Sequence, residues 1–153
     1  MSVSSPVTGW DLEYRPRKLR RYAVIAAVVV VAIHIVFGAL LTISDTGVRN
    51  IGVLDQLSIM LIGVVIAGVI LLFTRPRIRV GAEGVSVRNL VTERLFEWDR
   101  VRGLSYPEKG SSAHLELPDD EYIPVLAVRA SDGEQAVAAM DRFRDLDTSY
   151  RTR

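Results

Sequence analysis

Two long apolar runs dominate the first half of the chain, at positions 22–43 and 57–73. The first run is mostly Val, Ala, Ile and Leu and carries no Asp, Glu, Lys or Arg. At ~1.5 Å of rise per residue, a helix over it covers roughly 33 Å, about the thickness of a hydrocarbon core. The second run is near the shortest length that crosses a bilayer. The pattern predicts two transmembrane helices joined by an external loop over 44–56.

The alternative interpretation of the first run is a secretory signal peptide, because basic residues precede an apolar stretch. However, the stretch is long for a signal, and no small-residue cleavage site follows it. We therefore predict that it is retained as a membrane span.

Basic residues cluster before the first run and after the second, but not between the runs. The loop between the runs holds a single basic residue, Arg49. Cytoplasmic flanks carry the excess of Lys and Arg in membrane proteins. We therefore expect a multi-pass protein of the plasma membrane with both termini cytoplasmic. The basic residues before the first run and after the second are Arg15, Arg17, Lys18, Arg20, Arg21, Arg75, Arg77 and Arg79.

Residues 1–21 are predicted to form a basic cytoplasmic arm. In the simplest interpretation, its basic cluster orients the spans and touches anionic lipid headgroups. In a second interpretation, its aromatic and Arg side chains clamp a protein partner, since Trp, Tyr and Arg are typical interface anchors. The residues predicted to contact the membrane surface or a partner are Trp10, Tyr14, Arg15, Arg17, Lys18, Arg20 and Arg21.

Two polar residues lie within or beside the predicted spans. His34 is about midway along the first run, where an ionisable group is costly and faces protein or water rather than lipid. We expect a neutral ring hydrogen-bonded to a neighbouring helix. A proton relay is disfavoured, because no carboxylate lies at the same depth. Asp55 is expected at the outer end of the second span, where a carboxylate caps a helix N-terminus.

Small residues recur at a spacing of four within the apolar runs. Such pairs let helix backbones approach closely, although Gly and Ala are common in spans for other reasons. We expect the spans to pack on each other and to associate with other integral membrane subunits. The pairs are Ala23 with Ala27, and Gly63 with Ala67.

After Phe73 the hydrophobic pattern changes to the period of two that is typical of strands. Gly81 and Gly84 bracket a tight turn between the first two strands. Pro124 lies inside the last strand, which indicates an edge. The predicted strands are Ile78–Val80, Val85–Val87, Arg94–Trp98, Val101–Tyr106, Ala113–Leu117 and Ile123–Val128.

A helical period follows the last strand. Ser131 and Glu134 have the spacing of a capping box. The apolar residues that then share one helix face are Ala136, Met140, Phe143 and Leu146. The region 75–146 is thus predicted to be a small cytoplasmic α+β domain of about six antiparallel strands closed by this helix. A polar tail is expected over 147–153.

The strand motifs resemble those of bacterial pleckstrin-homology (PH)-like domains, especially the low-molecular-weight-antigen-6 type of small actinobacterial membrane proteins. The resemblance implies a PH-like split β-barrel capped by a C-terminal helix, behind a membrane α-helical hairpin. It implies no activity, since the fold hosts many binding roles. The fold usually has seven strands, whereas the sequence predicts six. The motifs are Gly84-Val85-Ser86-Val87-Arg88, Arg94, Trp98-Asp99-Arg100-Val101 and Gly103-Leu104.

Composition excludes several classes of function. The region from Arg75 onward carries 13 basic and 14 acidic residues, a balance that argues against nucleic-acid binding. The chain has no Cys and only two His residues, so no nucleophile–base pair or thiolate metal site is evident. The acidic run at 119–121 is typical of a solvated turn. We predict no catalytic, cofactor-binding or metal-binding residues, and hence no enzyme.

Two functions remain at this stage. The first is a non-catalytic accessory or scaffold subunit of a larger membrane complex. Small accessory subunits of this build occur in the actinobacterial respiratory bcc-aa3 (cytochrome c oxidase) supercomplex, so that complex is one expected partner by resemblance. The second is a stand-alone membrane-anchored PH-like binding or sensor module in cell-envelope maintenance. In that case, the edge of the last strand is a site for added strands.

Overall fold

The computed structural model describes residues 9–43 and 52–152. These residues fall into two compact units. One unit combines the chain before Lys18 with the chain from Pro76 onward, and we call it the β-domain. The other is Lys18–Arg75, which we call the helical hairpin. Most of the predicted external loop, residues 44–51, lies outside the described residues.

The helical hairpin contains α1, Arg17–Ile43, and α2, Val53–Leu71, followed by a 3-10 turn at Leu72–Thr74. Both helices are long and apolar enough to cross a membrane. Only 11% of each apolar window is buried within the structure, whereas the core helix of a soluble protein is mostly buried. The two helices are therefore compatible with the predicted spans.

The β-domain contains seven strands among the described residues and one long helix. Sheet A has four strands in the order β1-β2-β3-β4, and sheet B has three in the order β5-β6-β7. All neighbouring strands pair antiparallel. The elements are β1 Trp10–Tyr14, β2 Arg77–Gly81, β3 Gly84–Arg88, β4 Glu93–Phe96, β5 Gly103–Ser105, β6 Ser112–Glu116, β7 Tyr122–Arg129 and α3 Glu134–Arg151.

Strand β1 comes from the segment that was predicted to be a separate basic arm. Its residues pair with β2, so that Glu13 lies opposite Arg79 and Tyr14 lies opposite Ile78. The whole helical hairpin is thus inserted between two neighbouring strands of one sheet. The sequence-based count of six strands was one short, because β1 has only five residues and its partner lies beyond both apolar runs.

The core lies between the two sheets and α3. Phe143 is buried on α3 and packs with the inward side chains of the strands. Trp98 was predicted to end a strand, but it lies in a 3-10 turn, Trp98–Arg100. Its indole N–H donates to the carbonyl oxygen of Gly81 at 3.0 Å, and its ring stacks on Tyr150. Other buried core residues are Ile78, Val80, Val85, Val101, Leu115, Val125 and Val128.

The start of α3 differs from the prediction. Ser131 lies in a 3-10 turn, Ala130–Asp132, and the N-cap is Gly133 at φ 57°. No side-chain hydrogen bond caps the helix, so the predicted capping box of Ser131 and Glu134 is wrong. The extra turn shifts the helix start by two residues. At its other end α3 continues to Arg151, into the segment predicted to be a polar tail.

The turn between β2 and β3 requires glycine at position 84. Gly84 has φ 135°, and a Cβ there would lie 2.1 Å from the carbonyl oxygen of Phe96. Gly103 is also in a strand, but a Cβ there would meet nothing within 4 Å. We expect Gly84→Ala to destabilise the β-domain by about 3 kcal/mol or more, because it combines backbone strain with a clash against main-chain atoms.

The matched control is Gly103→Ala, which should change the free energy of unfolding by about 1 kcal/mol or less. Chemical denaturation of the full-length protein in detergent, followed by tryptophan fluorescence, measures both variants. Equal stability of the two variants would contradict the assigned β2–β3 turn.

Candidate binding surfaces

The first turn of α1 is basic and exposed. Arg17, Lys18, Arg20 and Arg21 all have exposed or half-exposed positions at the helix start, where no acidic residue is present. A helix N-terminus carries a partial positive charge, so cations there are unfavourable by ~0.3–1 kcal/mol each. An anionic surface, such as lipid headgroups, would offset this cost. Arg15 precedes the helix and pairs with Glu13 at 2.7 Å.

The structure places Trp10 and Tyr14 in sheet A, where they contribute to the β-domain itself. The guanidinium of Arg79 lies 5.8 Å from the centroid of the Trp10 ring. The Tyr14 hydroxyl donates to the Asp132 carboxylate at 3.2 Å. Burial, followed by the charge of Asp132, raises the pKa of Tyr14 to about 12. Their predicted role at a membrane surface or partner interface stays a prediction, but Tyr14 is held by the fold.

The outer face of sheet A carries a network of charged side chains. Glu93 accepts hydrogen bonds from Arg77 at 2.7 Å and from the buried Ser86 hydroxyl at 3.0 Å. The Arg77 hydrogen bond is the main cause that lowers the pKa of Glu93. On the same face, burial alone would raise the pKa of Glu13, but the cations of Arg15 and Arg79 outweigh it and lower that pKa.

Two arginines stand directly opposite each other on this face. Arg77 pairs with Arg88 in the β2–β3 register. Like charges in such a cross-strand pair repel each other. The Nε atoms of both side chains are buried and have no hydrogen-bond partner among the described residues. The pair can therefore accept an anion, although Glu93 already neutralises part of its charge.

The outer edge of β7 is partly covered by a side chain. The Asn89 amide donates to the carbonyl oxygen of Pro124 at 2.9 Å, and its oxygen accepts from the backbone N–H of Leu126 at 3.2 Å. Asn89 thus makes the two hydrogen bonds that an added strand would make. β7 is the edge of sheet B, as Pro124 indicated, but its backbone is occupied at this point.

A small cleft of about 180 Å³ lies beside Asn89, between β4 and the start of β7. Arg94 lies opposite the buried Val87, on the face of β4 that bears the core. An inward-pointing charge on an edge strand opposes the addition of further strands. The cleft is lined by Val87, Asn89, Thr92, Arg94, Phe96, Ile123 and Pro124.

A larger and more polar groove, of about 530 Å³, runs along sheet B. The rings of His114 and Tyr122 stack in it with centroids 4.5 Å apart. Its remaining lining comes mainly from Arg102, Ser105, Glu116 and the β6–β7 turn. The groove offers donors, acceptors and one aromatic platform to a polar ligand.

The acidic run lies on the rim of this groove, in the β6–β7 turn. Asp119 and Asp120 have φ 62° and φ 59°, and the N–H of Glu121 donates to the carbonyl oxygen of Pro118. Two successive positive φ angles with this bond define the type of turn that suits a hairpin. No group of three metal-ligating side chains occurs among the described residues. The run is accounted for by the turn.

The hairpin helices are in close contact at His34 and Gly63. A Cβ on Gly63 would lie 2.5 Å from the His34 Cβ, so only glycine fits at this point of α2. The His34 Nδ1 atom lies 2.8 Å from the carbonyl oxygen of Val30. One turn further along α1, Gly38 faces the Met60 side chain. Because the partner numbers fall as those of α1 rise, the helices are antiparallel.

The other residues singled out in the hairpin either cap a helix or are buried on one. Asp55 lies in the first turn of α2, and its carboxylate accepts from the N–H of Gly52 at 3.0 Å. Asp55 therefore caps the helix start, where a carboxylate also suits the dipole. Ala67 is buried on α2, one turn beyond Gly63, and Ala23 and Ala27 are buried on α1.

Sequence reasoning missed the roles of Asn89, Arg77 and Arg88. An Asn after a strand is typical of turns, so nothing in the pattern signals that its amide reaches β7. The opposed arginines are visible once the β2–β3 register is known, and a two-residue turn at Ala82-Glu83 fixes that register. Counting outward from this turn would have paired Arg77 with Arg88.

These features define a small α+β module in which two sheets and a helix enclose the core and an apolar helical hairpin connects two paired strands of the first sheet. Residues 75–146 match the family model described as "Bacterial PH domain". An uncharacterized protein of Mycobacterium tuberculosis is 44% identical over 142 residues, which cover 93% of this chain and 92% of that protein. An uncharacterized protein of Mycobacterium bovis matches equally well.

The chain therefore belongs to the same family as these mycobacterial proteins, and its residues 75–146 are similar to bacterial PH domains. The match to the family model begins at residue 75 and so excludes β1, whereas the mycobacterial relatives match over most of the chain. No solved structure matches this protein.

The half-buried phenol of Tyr14 makes a testable contribution to stability at high pH. Its pKa of about 12 in the folded protein exceeds the value of about 10 expected when unfolded. The folded state thus holds this proton more tightly. The contribution is present in full below pH of about 10 and is lost as the pH rises towards about 12.

We expect the free energy of unfolding to fall across that interval, and Tyr14→Phe to remove part of the fall. Denaturation curves at a series of pH values measure the free energy of unfolding of both proteins. Burial also raises the pKa of Tyr106, so Tyr106→Phe is measured in parallel to separate the two phenols. An unchanged pH dependence in Tyr14→Phe would contradict the assigned contact with Asp132.

Proposed function

We propose that this protein is a non-catalytic accessory or scaffold subunit of a larger assembly in the plasma membrane. The helical hairpin binds other integral membrane subunits, and the β-domain lies at the cytoplasmic face. The observation that carries the proposal is the insertion of the hairpin between β1 and β2. A hairpin whose two ends both continue into paired strands fixes the domain to the membrane through two chain connections rather than one flexible tether.

The β1–β2 pairing supports the proposed topology independently of charge. α1 begins three residues after β1 ends, and β2 begins three residues after the last 3-10 turn ends. Since β1 and β2 pair antiparallel, β1 ends and β2 begins at the same end of sheet A. Two spans that start and finish at one end of a sheet favour both termini on one side of the membrane. The basic flanks favour the cytoplasm for that side.

The hairpin surface supports a role in assembly. Most apolar side chains on both helices are exposed in this structure, including Phe37, Leu40, Leu61 and Val65. Two helices bury little of each other, so most of this surface faces lipid or other membrane helices. The respiratory bcc-aa3 supercomplex is one candidate assembly, and it rests on the resemblance in architecture alone.

Topology can be tested with single cysteines, because the chain has none of its own. We expect Thr46→Cys, in the loop between the spans, to react with a membrane-impermeant maleimide in intact cells. Lys109→Cys, in the exposed β5–β6 loop, should react only after permeabilisation. The reverse labelling pattern would contradict the proposed cytoplasmic location.

Assembly can be tested by affinity purification of the tagged full-length protein from its own membranes in a mild detergent. We expect co-elution with stoichiometric integral membrane proteins, identified by mass spectrometry. Respiratory oxidase subunits among them would support the supercomplex, and other membrane subunits would support a different assembly. Recovery of the chain alone would overturn the proposal. Recovery with soluble proteins only would favour the stand-alone binding module, for which the polar groove on sheet B is the larger free surface.

A further inference from the structure

The His34 imidazole has one satisfied nitrogen and one open nitrogen. Nδ1 lies 2.8 Å from the Val30 carbonyl oxygen, which can only accept, so Nδ1 carries the proton and donates. In a neutral ring, Nε2 is then a hydrogen-bond acceptor. It makes no hydrogen bond with the described residues. It is also not one of the buried polar atoms that lack a partner, so it is accessible at the surface of the hairpin. Nε2 is therefore open to whatever surrounds the hairpin.

The position of the ring is fixed by its contacts. Its Cβ and Cγ atoms lie where a side chain on residue 63 would be, so Gly63 holds the base of the ring against α2. The bond from Nδ1 to Val30 sets the orientation of the ring. His34 lies near the middle of α1, and Gly63 lies near the middle of α2. In a spanning hairpin, Nε2 is thus held at mid-depth of the bilayer.

An open acceptor at this depth is unfavourable. No water is available in the hydrocarbon core, and a polar group without a partner costs several kcal/mol there. A charged ring at the same depth costs more. A hydrogen-bond donor on a neighbouring helix would satisfy this acceptor. Ser, Thr, Asn and Gln side chains form hydrogen bonds of this kind between membrane helices.

We propose that Nε2 of His34 accepts a hydrogen bond from a side chain on a transmembrane helix of another protein. The inference rests on the proposed function, since it requires a spanning hairpin, and it names the point at which the partner is recognised. The partner helix carries a hydroxyl, amide or indole donor at mid-depth.

A second copy of this chain is a poorer occupant. Within the apolar runs the only other polar side chains are Tyr22, Thr42 and Ser58. Ser58 lies five residues from Gly63, about 7.5 Å along the helix, and its hydroxyl already donates to Leu54. At the depth of His34, another copy offers only a second His34, whose donor is engaged with Val30. A donor at this level must come from a different sequence.

The test uses the full-length tagged protein in its own membranes, with the co-purification described above. His34→Phe keeps an aromatic ring but removes the acceptor, whereas His34→Gln keeps an acceptor oxygen. Ile35→Phe is the matched control, since it adds an aromatic ring at an exposed neighbouring position. We expect His34→Phe to recover about three- to tenfold less partner, in line with the strength of interhelical hydrogen bonds in membranes. His34→Gln and Ile35→Phe should recover close to the wild-type amount.

Failure of the inference can be told apart from failure of the proposed function. If the wild-type protein recovers no integral membrane partner, the proposed function fails. If it recovers one and His34→Phe recovers as much, only the His34 inference fails. A partner that proves to be a second copy of the chain also overturns the inference.

A spectroscopic readout reports on Nε2 directly. The chain has two His residues, so ¹⁵N-histidine labelling with His114→Gln leaves a single imidazole. We expect the Nε2 resonance to shift between the isolated protein in lipid and the purified complex. An identical resonance in both would contradict the proposed bond.

Discussion

The pairing of β1 with β2 is the constraint on which the rest of the structure depends. It joins two segments that are separated by the entire helical hairpin, and such a closure is normally costly in chain entropy. The antiparallel contact of α1 with α2 at Gly63 returns the chain to its starting point, so the hairpin brings the two strands together. Conversely, β1 is secured to the β-domain by the bond from Tyr14 to Asp132 and by the contact of Tyr150 with Asp11. Folding of the sheet and closure of the hairpin therefore support each other.

This arrangement also concentrates positive charge where the chain passes between strand and helix. The two connections have the same sequence, Arg-Pro-Arg, at 15–17 and 75–77. Each proline is buried and, lacking an N–H, suits a point where one type of structure ends and another begins. The flanking arginines differ in their contacts. Arg15 and Arg77 form salt bridges with carboxylates of sheet A. Arg17 starts a helix whose dipole disfavours it, which is a cost that an anionic surface would relieve.

Much of the architecture could be read from the sequence, and the failures have physical causes. The apolar runs, six of the strands and α3 follow from hydrophobic periodicity, which is a local property. β1 does not, because a five-residue strand is defined by its partner, and that partner lies beyond the hairpin. Ser131 and Glu134 have the right spacing for a cap, but the 3-10 turn at Ala130–Asp132 pre-empts it. At the hairpin, the residue types of His34 and Gly63 indicated helix packing. Only the structure shows that they meet, and that Nδ1 is satisfied within the helix while Nε2 is not.

The edges of the two sheets bear on how the β-domain can bind anything else. Open sheets invite strand addition, yet the β4 and β7 edges have features that oppose it here. Asn89 occupies the Pro124 carbonyl and the Leu126 N–H on β7, and β4 places Arg94 on its inner face beside the cleft. The β1 edge is short and lies next to the hairpin connection. Among the described residues, the polar groove beside His114 and Tyr122 is an open surface of the domain, and it suits side-chain contacts rather than backbone pairing. In the proposed function, the hairpin is the surface for membrane partners, and the groove on sheet B is the surface for soluble ones.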